Sequence, residues 1–159
     1  MAELRIRRAV RGLLLTPAEE ILLVRFEFPT RTVWAAPGGG LEDGEDHLDA
    51  LRRELREEVG LTDPAIGPHV WNREHIIPHL DGQWDGQRDR CYVVRTERFD
   101  PQPELTWDEL RAERVEELRW WQVSEIEQST ATFAPRRLGR LLRSLVDDGP
   151  PATPIDTGV

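Results

Sequence analysis

Residues 38–61 read GGGLEDGEDHLDALRRELREEVGL, three glycines that run into an acidic helix closing on another glycine. Asp46 reads as the N-cap, Asp49 sits near the positive helix end, and Gly60 is a natural residue to stop the helix. With Glu54 set at zero and about 100° per residue, Glu58 falls at roughly +40° and Glu57 at roughly −60°. Three carboxylates therefore share one side. Leu48, Leu51, Leu55 and Val59 lie between roughly +60° and +140° and read as the stripe that packs on a core. The acidic stripe then lies at the edge of a cleft, neither buried nor fully solvated. Arg53 precedes Glu57 by four residues, within ion-pair reach, while Arg52 and Arg56 face solvent.

Like charges gathered on one helix face repel and destabilise it unless a cation joins them. Hard carboxylate oxygens suit Mg²⁺ or Mn²⁺, and Mg²⁺ takes a few carboxylates plus substrate phosphates. The ordinary meaning of a charge run is a solvated face. The run Gly38-Gly39-Gly40 weighs against that reading, because glycine lets backbone come close to a ligand or metal. These features mark a candidate site for splitting phosphate anhydrides.

The spacing G-x5-E-x7-R-E-U-x-E-E-x-G-U, with U aliphatic, is matched by Gly39, Glu45, Arg53, Glu54, Leu55, Glu57, Glu58, Gly60 and Leu61. It resembles the signature of the Nudix hydrolases. The flanks Trp34-Ala-Ala-Pro37 and Glu117-Leu-Arg-Trp120-Trp121 are also similar to the family, so the resemblance extends over roughly residues 4–146. It implies an α/β/α sandwich around a mixed β-sheet, in the α+β to α/β class. It implies that Glu54, Glu57 and Glu58 bind metal together with the Gly39 carbonyl, that Glu54 is the general base, and that Arg53 holds the glutamates in position. Glu45 is expected to orient that network. Family members often recruit a further glutamate from outside the box. Glu113, Glu116 and Glu117 are available here; Glu113 or Glu117 is favoured, and solvated charge is the bland reading for at least two of them. The implied reaction is attack of water at phosphorus in a nucleoside diphosphate derivative, releasing two phosphorylated fragments.

The chain has 159 residues, within single-domain range, and a net charge of −9. An acidic protein is a poor non-specific binder of nucleic acid or anionic membrane. All 21 basic residues are arginine. Without lysine there is no Walker-type lysine and no Schiff base, so phosphate falls to arginine, backbone amides or metal. The lone Cys91 allows no intramolecular disulfide, which suits a reducing cytoplasm. No secretory signal or membrane span is visible.

The pattern predicts strands over 4–15, 21–28, 33–34, 65–78, 88–99 and 116–123, with the box helix over about 46–59. Thr106-x-x-Glu109 predicts a capping box, Ser124-x-x-Glu127 a helical turn, and 135–146 an amphipathic helix. Residues 1–148 read as one domain. Residues 149–159 carry three prolines and few anchors, and are expected to be a flexible tail or to pack on a partner.

Trp34, Trp71 and Trp84 are candidates to stack on a base, with Trp34 and Trp71 preferred; core packing is the competing reading, and Trp120 and Trp121 are assigned to the core. Arg25 and Arg31 precede the glycines and could touch phosphates, although Arg31 reads as surface. His75 and His79 share a strand face but lack further ligands for a transition metal. The expectation is thus a Mg²⁺- or Mn²⁺-dependent hydrolase of small nucleotides, with Arg25, Trp34, Gly38, Gly39, Gly40 and Trp71 as substrate contacts and Gly60 as structural support. A homodimer is common among similar proteins. The rivals are a nucleotide-sensing module that does not cleave, and an enzyme of the isopentenyl-diphosphate-isomerase type, which needs a catalytic cysteine. Oxidised purine triphosphates, dinucleoside polyphosphates, nucleotide sugars and ADP-ribose all remain open as substrates. Pro78 lies near the place of an ADP-ribose-type proline, displaced by about one residue.

Overall fold

A computed structural model describes residues 3–76 and 82–159. Pro78 and His79 lie outside these residues. The strands are β1 (Ile6–Leu15), β2 (Glu20–Phe28), β3 (Arg31–Ala35), β4 (Gly38–Gly40), β5 (Ile66–His75), β6 (Gly86–Arg95), β7 (Val115–Gln122), β8 (Phe133–Ala134) and β9 (Ile155–Asp156). The helices are α1 (His47–Val59), α2 (Trp107–Ala112), α3 (Val123–Gln128) and α4 (Leu138–Asp148).

The runs Leu13-Leu14-Leu15 and Ile21-Leu22-Leu23-Val24 are buried at every position. Successive strand residues point to opposite faces, so a continuous apolar run means that both faces are covered. On one face Leu13, Leu15, Leu23 and Val93 pack with Leu138, Leu142 and Leu145 of α4 and Ile126 of α3. On the other, Val10, Leu14, Leu22, Tyr92 and Val94 pack with Ala50, Leu51, Leu55 and Val59 of α1. The result is an α/β/α sandwich. Each fully buried α1 leucine contributes about 1.5–3 kcal/mol. The packed stripe starts at Ala50; Leu48, expected within it, is in the first turn and stays exposed.

The sheet runs β8-β3-β2-β1-β6-β5-β9 and is mixed, with β1 parallel to β6 along its whole length. Pairing of β1 with β2 is confined to Leu15 opposite Ile21. Beyond that point β1 pairs instead with β4, placing Ala9, Val10 and Arg11 opposite Gly40, Gly39 and Gly38, and β2 pairs with β3 from Val24 to Phe28, while β7 runs along β2 from Glu20 to Phe26. The two strands thus splay, and the glycine strand enters the gap beside α1.

The caps were legible locally. Asp46 accepts from the Asp49 backbone at 2.8 Å, and Gly60 has φ +74°, the left-handed conformation that favours glycine. Thr106 and Glu109 form the expected capping box of α2. The tail was not legible. Instead of remaining loose, it lays β9 parallel to β5, with the Thr157 backbone donating to the Asn72 carbonyl at 3.0 Å and Thr157 itself buried. Proline content reports local stiffness and says nothing of an open sheet edge waiting on β5. No helix among the described residues is long and apolar enough to cross a membrane.

Candidate active site

The site is built where β4 meets α1. Gly38 has φ +151°, and a Cβ there would lie 1.9 Å from the Val10 carbonyl oxygen. At Gly39 an added Cβ would lie 2.6 Å from Oε1 of Glu54. Only glycine lets the Glu54 carboxylate rest against the strand backbone. Gly40 serves in the same way for Arg7, whose Nε lies 2.6 Å from where a Cβ would stand.

Arg53 organises the carboxylates. Its side chain is 15% exposed and grips Glu45 with two bonds, Nε to Oε2 at 2.7 Å and NH2 to Oε1 at 2.9 Å. The remaining donors reach Oε1 of Glu54 at 2.9 Å, Oε2 of Glu57 at 3.3 Å and the Gly40 carbonyl at 3.0 Å. A planar guanidinium offers five N–H donors in a fixed fork, so one residue locks three acids and the glycine strand together. Hydrogen bonding from Arg53 holds Glu45 below the usual carboxylate range, and the Glu45 bonds, partly offset by burial, push Arg53 up.

Glu58 was expected at a cleft edge, but it is only 2% exposed. Its Oε2 is buried with no hydrogen-bond partner. Burial first, and the Glu54 charge second, raise its carboxyl well above the usual range, while a Gly38 backbone bond opposes them. Carboxylate oxygens of Glu54, Glu58 and Glu113 lie within 4.8 Å of one another. Glu113, the C-cap of α2, comes in from a different part of the chain. Burial and then Glu54 and Glu57 push its carboxyl up as well. Glu57 stands outside this trio, but with Glu54, Glu113, Arg7, Arg53 and Glu42 it lines a cavity of about 370 Å³. Burial, then Glu54, raises Glu57.

Other expected residues lie elsewhere. Glu117 is not drawn to the trio; it pairs with Nε of Arg25 at 3.0 Å, and Arg25 also bonds Glu27. Arg25 is thus held by two carboxylates and is not among the cavity's lining residues. Trp71 is 1% exposed and Trp34 8%, both in the core, with Trp34 edge-on to Trp121 at 5.2 Å. Neither offers a free face for stacking, because the helical layer of α3 and α4 already covers that side of the sheet. Trp121 is buried as expected, and Trp120 donates Nε1 to the Phe99 carbonyl at 2.8 Å. Cys91 is buried, and burial, then Asp89, pushes its thiol up to about 12, which leaves no thiolate for isomerase chemistry.

Sequence patterning did not single out Arg7, which lines the cavity, or the buried Gln87 and Asp89 with the partly exposed Arg11 and Arg73 around them. The available signal was parity: Arg7 and Arg11 alternate in step with the buried Leu13 and Leu15 on β1.

Comparison with known proteins agrees with this construction. Residues 5–142 match the family model described as the NUDIX domain. Nudix hydrolase 25 of Arabidopsis thaliana is 26% identical over 133 residues, covering 77% of this chain and 76% of the relative. An RNA pyrophosphohydrolase of Rhizobium meliloti (strain 1021) is 36% identical over 72 residues, covering 41% of this chain and 43% of that protein. The solution structure of the E. coli ORF135 protein superposes with a TM-score of 0.66 at 21% identity, covering 94% of this chain and 96% of the other, a likeness of fold. With its glycine strand, arginine-locked acids and matching domain model, the chain belongs to the NUDIX family, the hydrolases that residues 38–61 resemble.

Proposed function

We propose that the protein is a divalent-metal-dependent hydrolase that cleaves a phosphoanhydride bond in a nucleoside diphosphate derivative. One observation carries this reading: carboxylates of Glu54, Glu58 and Glu113 converge within 4.8 Å while Oε2 of Glu58 is buried without a partner. Two buried carboxylates beside a third that is exposed, with one orphaned acceptor among them, are costly unless a cation joins them. The donors are all hard oxygens, which fits Mg²⁺ or Mn²⁺. Glu54, Glu58 and Glu113 would hold the ion, with Glu57 at the cavity wall. When bound, such an ion neutralises phosphate oxygens and lowers the pKa of water.

The residues of the chain supply the rest. Arg53 and Glu45 fix the acids, so that Glu54 keeps one orientation as the substrate arrives. Glu54 accepts the proton of the attacking water as its oxygen bonds to phosphorus. The anhydride P–O bond breaks and two phosphorylated fragments leave. Arg7 at the cavity wall meets the negative charge of the substrate. The name of the Rhizobium relative, an RNA pyrophosphohydrolase, puts an RNA oligonucleotide in the screen beside nucleoside triphosphates, dinucleoside polyphosphates, nucleotide sugars and ADP-ribose.

The test is turnover of that panel with Mg²⁺ or Mn²⁺, read as phosphate released by a coupled phosphatase, on the wild type and Glu57→Gln. Metal-dependent cleavage that disappears in a folded Glu57→Gln supports the hydrolase. A compound that raises the melting temperature but is never cut makes the protein a sensor and removes the catalytic reading.

A further inference from the structure

On the face of the sheet opposite α1, the helices α3 and α4 leave a second cavity, of about 450 Å³, open to solvent. Small-molecule sites commonly enclose about 300–1,000 Å³. None of its lining residues also lines the cavity at the carboxylates. Its walls carry four arginines, Arg136, Arg137, Arg140 and Arg143, against one carboxylate, Glu127. Ile126 and Phe133 add apolar surface. Helical spacing gathers the cations: Arg136, Arg140 and Arg143 follow one another at intervals of four and three residues and share one side of the chain. Leu138, Leu142 and Leu145 meanwhile turn to the core.

The lone carboxylate is already taken. Arg143 reaches Oε1 of Glu127 through Nε at 3.0 Å and NH2 at 2.9 Å, and its NH1 reaches Glu19 at 3.3 Å and Asp147 at 3.4 Å. These bonds tie α4 to α3 and neutralise Arg143. Arg136, Arg137 and Arg140 are exposed, and none of the three pairs with a carboxylate among the described residues. Three uncompensated cations thus stand around one concavity, in a chain whose net charge is −9. A charged helix face in open water is ordinary. Like charges around a hollow are costlier, because the walls that bring them together also displace the water that screens them. Arg137 and Arg140 stand in addition at the positive end of α4, where each cation costs about 0.3–1 kcal/mol. A dianion in the cavity offsets both costs.

We propose that the cavity between α3 and α4 binds a phosphate monoester of small-molecule size. Arg137 and Arg140 hold the phosphate with Arg136 beside them, and the organic part lies towards Ile126 and Phe133. A planar guanidinium matches two phosphate oxygens, so a pair of arginines suits this group better than a carboxylate-bearing ligand of single charge. The site needs neither metal nor the carboxylates of α1, and it stands whether or not the hydrolase reading does.

The probe is phenyl phosphate, titrated into the protein in EDTA at low salt and read by calorimetry. The wild type binds one equivalent with a Kd below about 1 mM. The double variant Arg137→Gln with Arg140→Gln weakens binding at least tenfold. Arg95→Gln, the loss of an exposed arginine outside both cavities, leaves it within about twofold, and so does Glu54→Gln at the carboxylates. Binding weakens at least threefold from pH 7 to pH 5, as the monoester takes up its second proton near pH 6. Should the double variant fail to fold, the single exposed change Arg140→Glu must itself weaken binding at least tenfold. No binding by the wild type, undiminished binding in the arginine variants, or binding lost in Glu54→Gln overturns the proposal. A single-stranded DNA oligonucleotide that binds at least tenfold more tightly than phenyl phosphate, and loses its affinity in the same arginine variants, also overturns it and makes the groove a nucleic-acid surface.

Discussion

Replacing Arg53 by methionine removes the cation that ties the site together while keeping its apolar stem. Five hydrogen bonds disappear, two of them the paired grip on Glu45. Glu45 and Arg53 side chains are 16% and 15% exposed, so water replaces these bonds poorly. Removing one partner of such a pair costs about 3–5 kcal/mol. For a chain of this length that lowers the melting temperature by roughly 6–20 °C. The pH dependence has a definite sign. Arg53 holds the folded Glu45 below its unfolded value, so the stability from this pair is present above the unfolded value and fades as pH falls through the folded one. Melting curves of wild type and Arg53→Met should therefore stand far apart at pH 7 and draw together towards pH 3. Turnover should fall as well, because Glu54 and Glu57 lose their shared donor. A drop below about 1 kcal/mol at pH 7, or a gap that stays constant with pH, would refute the assignment of Arg53 as the organiser of the acids.

Three further outcomes follow from the same geometry. Glu58 has its folded pKa raised, so in EDTA wild-type stability is lost as pH rises from the unfolded carboxylate value through the folded one; Glu58→Gln should flatten that loss and abolish the melting shift produced by Mg²⁺, both read by calorimetry, and an unchanged Mg²⁺ shift would remove Glu58 from the metal site. Glu113→Gln should reduce kcat at least tenfold while Glu117→Gln stays within about threefold of wild type, since only Glu113 reaches the trio; the reverse order in steady-state kinetics would restore the alternative. Trp71→Ala should cost about 3–5 kcal/mol in urea unfolding with no specific change in KM, because the ring fills the core; a large KM effect with little stability loss would return Trp71 to the binding site.

Local sequence was enough for the box helix over about 46–59, its caps at Asp46 and Gly60, the acidic face and the need for glycine at 38–40. These depend on a period of 3.6 residues and on φ values, both of which act over a few neighbours. Arg53 reaching Glu57 is also local, an i,i+4 contact. Tertiary structure alone decided which carboxylates meet. Glu58 lies in the interior and meets Glu113 at the end of α2, 55 residues further along the chain, while Glu117 pairs with Arg25. Likewise the burial of Trp34 and Trp71, the placing of Arg11 and Arg73 about Asp89, and the docking of the tail on β5 come from strand register. A strand's own residues fix which side chains alternate together; its partners, brought in from far along the chain, fix what each face meets.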